Sequence, residues 1–139
     1  MAANKEIRLV VKSVQDDSTT DQTVIAEWYP KEKSGYIRYR EAESEMGKTT
    51  TTVKVGTDEI KIIRHGELQS EQTFALHKRL PGFYRTPQGI IHLETITHKL
   101  DIHMVDGIGR LSWEYELFVQ QESVGSFSLT LETEPYVVH

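Results

Sequence analysis

The chain has 139 residues, of which 37% are hydrophobic and 27% charged, a balance that suits one globular domain and excludes a disordered tail. The net charge is −5 and there is no cysteine, which speaks against duplex nucleic acid as a partner and removes disulfides, thiol nucleophiles and thiolate metal sites. No apolar stretch reaches the roughly 18–20 residues of a spanning helix.

Lys/Arg and Asp/Glu balance through residue 105. The acidic excess lies in 106–139, where Arg110 stands against Asp106, Glu114, Glu116, Glu122, Glu132 and Glu134. The start, MAANKEIRLVV, lacks the layout of a signal peptide. These features predict a cytoplasmic protein without membrane insertion. With no internal repeat or Pro/Gly-rich linker, residues 1–139 read as a single domain.

In chain order, the hydrophobic pattern has the period of strands. Ile7, Leu9 and Val11 alternate with polar neighbours. Val24, Ile25, Trp28 and Tyr29 also sit at helical spacing behind Thr20 and Asp21, but Pro30 and Lys33-Ser34-Gly35 favour a hairpin into Tyr36-Ile37-Arg38-Tyr39. Thr49 to Val55, then Ile60 and Ile62 around Lys61, continue the alternation. So do Leu111, Trp113, Tyr115, Leu117 and Val119, and after them Phe127, Leu129 and Leu131.

Turn signals fall between these runs at Met46-Gly47, Gly56-Thr57-Asp58, His65-Gly66, Pro81-Gly82, Pro87-Gln88-Gly89, Asp106-Gly107-Ile108-Gly109 and Val124-Gly125. They predict strands near 5–15, 22–30, 35–44, 48–56, 58–66, 68–79, 82–86 and 89–105 (bent or split), then a hairpin over 109–133. An open sheet of so many strands is uncomfortable in a chain of this size, whereas closure removes the edges. The expected fold is therefore all-β, a closed antiparallel meander barrel of about eight to ten strands. A two-sheet sandwich is the alternative.

Candidate site residues are the polar groups that alternation places on apolar rows. Glu41 follows Ile37 and Tyr39 inward, and Arg64 follows Ile60 and Ile62. A buried carboxylate or guanidinium costs several kcal/mol unless it is paired or meets a ligand, so the two either close one barrel end as an ion pair or leave Arg64 to greet an anion. Tyr84 and Thr86 share a face at a strand end, Thr95 and Thr97 share the row of Ile91 and Leu93, and Tyr115 sits among apolar neighbours. These hydroxyls either wet a small-molecule pocket or satisfy one another in a filled core.

The six histidines include His92, His98 and His103. On one straight strand the first two share a face and the third lies on the other, with separations far beyond metal reach. No GxSxG, P-loop, GxGxxG, HExxH or EF-hand pattern is present, so no catalytic residue, metal or cofactor is predicted.

Tyr36-Ile37-Arg38-Tyr39-Arg40-Glu41, Thr50-Thr51-Thr52-Val53-Lys54-Val55, Ile63-Arg64-His65-Gly66, Tyr84-Arg85-Thr86-Pro87-Gln88-Gly89 and Trp113-Glu114-Tyr115-Glu116-Leu117 occur in this order. In order and spacing, over about residues 6–133, they resemble the YwiB-like family of small uncharacterised Firmicutes proteins. The resemblance implies a bacterial, calycin-like (lipocalin-type) β-barrel and brings no activity or catalytic residue. Matching positions are Tyr36, Tyr39, Glu41, Arg64, Gly66, Tyr84, Thr86, Gly89 and Tyr115. The chain departs from the pattern at Glu27-Trp28-Tyr29-Pro30.

Two readings follow. One is a non-enzymatic barrel that binds a small anionic or amphipathic molecule in an open interior, through Tyr39, Glu41, Arg64, Tyr84, Thr86 and Tyr115. The other is a structural or interaction module with a filled core, an exposed apolar patch near Val10, Val14, Phe118 or Phe83, and a homodimer as its expected partner state.

Overall fold

The alternation becomes ten strands among the described residues, which in this computed structural model are 4–32, 34–41 and 48–137. They are β1 (Lys5–Gln15), β2 (Ser18–Pro30), β3 (Gly35–Arg40), β4 (Thr49–Val55), β5 (Glu59–Gly66), β6 (Gln69–Ala75), β7 (Arg79–Thr86), β8 (Gly89–Val105), β9 (Ile108–Val119) and β10 (Glu122–Pro135). Each pairs antiparallel with its successor, and β10 returns to β1, so the meander is a closed barrel and not a sandwich. The tail of the expected 35–44 strand and the turn residues Lys33, Met46 and Gly47 fall outside the described residues. No helix among those residues is long and apolar enough to cross a membrane.

The strand favoured over 20–30 is met, and two expectations are corrected in detail. Residues 20–30 are strand along their whole length, because β2 pairs with β1 from Lys5↔Trp28 to Gln15↔Ser18 and turns Ala26 and Trp28 into the core. The expected 68–79 strand breaks after Ala75. His77 has a φ of 60°, and the chain re-enters the sheet at Arg79. The other correction concerns the face of His103: β8 is one strand, bent and not split, with a bulge between Thr97 and Lys99. The extra residue reverses the alternation, so Leu93, Thr95 and Thr97 point inward before it and Leu100, Ile102 and Met104 after it. His103 therefore joins the exposed outer face of His92. Among the described residues no cluster of three His, Asp or Glu could hold a metal.

Trp28 plugs the end where β2 turns into β3 and β8 into β9. A side chain on either Gly35 or Gly107 would collide with its indole, so the two glycines form the slot that receives it. The indole Nε1 donates to Asp106 Oδ1 at 3.2 Å, and Lys5 Nζ holds the other carboxylate oxygen at 3.1 Å. Above this plug lie aromatic rings: Phe74 is 5.3 Å from Trp113 and 4.7 Å from Tyr115, and Tyr115 stacks on Phe127 at 5.4 Å. Phe74 and Trp113 are fully buried, so the middle of the barrel is packed, and an interior open throughout its length is excluded.

Candidate functional site

Antiparallel register builds a polar row across five consecutive strands. Tyr39 pairs with Thr51, Thr51 with Arg64, Arg64 with Ser70, and Ser70 with Tyr84. All five belong to inward rows, because they keep step with Ile37, Val53, Ile62, Phe74 and Leu93 of the core. Neighbouring strands lie about 4.8 Å apart, so side chains paired in this way are in reach of one another. The row stands at the end opposite Trp28, towards the β5–β6 and β7–β8 turns.

Glu41 follows Tyr39 inward, as alternation requires. Its carboxylate Oε1 accepts a hydrogen bond of 2.5 Å from Thr51 Oγ1 and lies 3.8 Å from Arg64 Nε. Only 6% of the Glu41 side chain and 15% of that of Arg64 meet solvent. The ion-pair expectation is met in part: the charges are close, but 3.8 Å is too long for a hydrogen bond. Arg64 Nε is buried and has no hydrogen-bond partner among the described residues, and the same is true of its neighbour Ser70 Oγ.

The phenols complete the cluster. Burial pushes the Tyr39 phenol well above its ordinary pKa, helped by the Glu41 charge and opposed by Arg64. Burial likewise raises Tyr115 to about 12, again against the influence of Arg64, with Tyr84 adding to the rise. The guanidinium thus lies within electrostatic reach of phenols on opposite sides of the barrel. Phenols of this kind stay protonated at neutral pH, which makes them hydrogen-bond donors and poor proton acceptors.

Five of the six residues expected from the sequence, Tyr39, Glu41, Arg64, Tyr84 and Tyr115, come together here. Thr86 does not share their surroundings, since its hydroxyl donates to Gly89 O and accepts from Gln88 N, both at 3.2 Å, within the β7–β8 turn. Thr95 uses its hydroxyl on the wall, donating to Thr73 O at 2.9 Å. Sequence reasoning missed Thr51 and Ser70. The signal was present: Thr51 keeps step with Val53 and Val55, and Ser70 with Phe74. Gln22 Nε2, Thr97 Oγ1 and Trp113 Nε1 are also buried without a hydrogen bond among the described residues.

The unsatisfied atoms are mostly donors, because an arginine Nε, an amide nitrogen and an indole nitrogen cannot accept. The opposite wall differs. Val11, Val24, Leu117, Phe127 and Leu129, from β1, β2, β9 and β10, are only partly buried against the core. At this end the polar row therefore runs along β3 to β7, while the β1, β2, β9 and β10 side carries these apolar side chains together with the buried amide of Gln22.

Comparison with known proteins gives a consistent picture. The family described as "Domain of unknown function (DUF1934)" matches residues 6–131. The chain is similar to the uncharacterized beta-barrel protein YwiB of Bacillus subtilis (strain 168), with 28% identity over 138 residues, 95% of this chain and 96% of that protein. The crystal structure of the ywiB protein from Bacillus subtilis matches with a TM-score of 0.80 at 22% identity, covering 96% of this chain and 94% of that one. At this identity the structural likeness speaks to the fold.

Proposed function

The chain belongs to the DUF1934 family, a domain of unknown function, and we propose that it is a non-enzymatic, cytoplasmic barrel that binds a small anionic or amphipathic molecule at its polar end. One observation carries this reading: among the described residues, a buried arginine nitrogen stands without a hydrogen-bond partner beside an equally unsatisfied serine hydroxyl. Leaving such groups unpaired costs about 1–3 kcal/mol each, and more for a charged group, so an acceptor oxygen brought by a ligand is favoured there. Arg64 would donate to that oxygen, with the Tyr84 and Tyr115 hydroxyls as further donors. Glu41 and Tyr39 would hold the guanidinium from behind, and Thr86 would border the entrance. The apolar part would lie against the Leu117 and Phe127 side, as in calycin-type barrels that hold amphipathic molecules, a likeness of fold and not of site.

The filled-core alternative draws on the ring contacts of Phe74, Trp113 and Tyr115. Two measurements separate the readings. Native mass spectrometry on protein purified from its own cells is expected to retain a small-molecule mass. Titration with anilinonaphthalene sulfonate, an amphipathic anion, is expected to saturate at one molecule per chain. Arg64→Met should weaken it by about tenfold or more, the equivalent of one charged hydrogen bond, and Tyr84→Phe by less. Near-UV circular dichroism confirms that each variant is folded. A titration unchanged in both folded variants would remove Arg64 from the site and leave the filled-core reading.

A further inference from the structure

The barrel has an open stretch of edge. β8 pairs with β7 from Gly89 to Ile96, but its pairing with β9 begins only at Leu93. Among the described residues, Gly89–His92 are therefore hydrogen-bonded on one side only. Alternate residues of such a stretch aim their N–H and C=O groups at the empty side, which is a template for another strand.

The surroundings of this edge differ from those of a guarded one. Ile90 and Ile91 are 48% and 45% exposed, although they are consecutive large aliphatics. Neither a charged side chain nor a proline interrupts Gly89–His92. Beside the edge lies a groove of about 430 Å³ whose lining includes Ile90, Phe118, Gln120 and Gln121. The two glutamines form the β9–β10 turn with φ of 52° and 70°. Such turns favour Asn, Asp or Gly, as Asp106-Gly107 supplies between β8 and β9, so two glutamines there are a strained choice that keeps their amides next to the open edge.

We propose that this edge is a dimerisation surface, and that a second copy of this chain pairs with it to join two barrels into one continuous sheet. The segment is self-complementary. Antiparallel pairing about a two-fold axis through Ile90 sets Ile90 against the Ile90 of the second copy, Gly89 against Ile91, and Gln88 against His92. Apolar thus meets apolar, and no like charges oppose. The proposal does not depend on the ligand reading.

Sedimentation velocity across a concentration series tests it. The expected result is a reversible monomer–dimer equilibrium, with amide exchange at Gly89–His92 slowing as the dimer fills. Ile90→Lys and Ile90→Glu should each be monomeric and as well folded as the parent, since the side chain is exposed. An equimolar mixture of the two should recover the dimer by setting Lys against Glu. A monomer at every concentration would overturn the proposal, leaving a different protein as the occupant of the edge. So would a dimer that both variants leave intact, or protection that arises elsewhere.

Discussion

Glu41 and Arg64 sit 3.8 Å apart inside the barrel, and the carboxylate oxygen nearest the guanidinium accepts its hydrogen bond from Thr51 at 2.5 Å. The two charges therefore neutralise each other without exhausting the donors of Arg64. Arg64→Met should cost about 3–5 kcal/mol by stranding the carboxylate. The double variant Glu41→Leu/Arg64→Met should recover much of that loss in urea unfolding. Equal losses in the single and double variants would show that the pair is not coupled.

The Trp28 plug makes a second coupled pair. Trp28→Ala should lose about 3–5 kcal/mol, the usual cost of emptying a large aromatic site. Gly35→Ala should lose about 1–3 kcal/mol by forcing a methyl group into the indole. In a Trp28→Leu background the Gly35→Ala change should cost far less, because the smaller side chain vacates the slot. Urea midpoints of the four proteins check this non-additivity. A cost for Gly35→Ala that is the same in both backgrounds would count against the slot.

The raised phenols predict an alkaline weakness. An unfolded tyrosine ionises near pH 10, whereas burial holds Tyr115 to about 12 in the folded barrel and Tyr39 higher than usual. Below the unfolded value both states keep the proton and the contribution is flat. Above it the unfolded chain releases protons that the barrel retains, so stability falls as pH rises towards the folded values. Tyr115→Phe removes one of these groups. Its unfolding free energy should fall less steeply between about pH 9 and pH 11 than that of the parent. Identical slopes would mean that Tyr115 ionises as readily folded as unfolded.

Much of this was legible in the chain. Alternation in 111–119 and 127–131 names the inward side chains because a strand turns its residues to opposite faces whatever its neighbours are. Asp106-Gly107 and Val124-Gly125 mark the turns through backbone preference, which is also local. Glu41 and Arg64 were found in this way, as polar members of apolar rows. The errors arose where the alternation itself is interrupted. The bulge at His98 moves His103 to the outer face, and the break at His77 divides what read as one strand.

The order of residues alone determined that the chain makes strands, where they turn, and which polar side chains face the core. Only the folded barrel decided that Tyr39, Thr51, Arg64, Ser70 and Tyr84 stand side by side, that Trp28 closes one end, and that Gly89–His92 lack a second neighbour. The division has a physical cause. Which face a side chain takes follows from the residues next to it, whereas its lateral neighbour depends on loop lengths, bulges and the ring closure of β1 on β10, which no single segment contains.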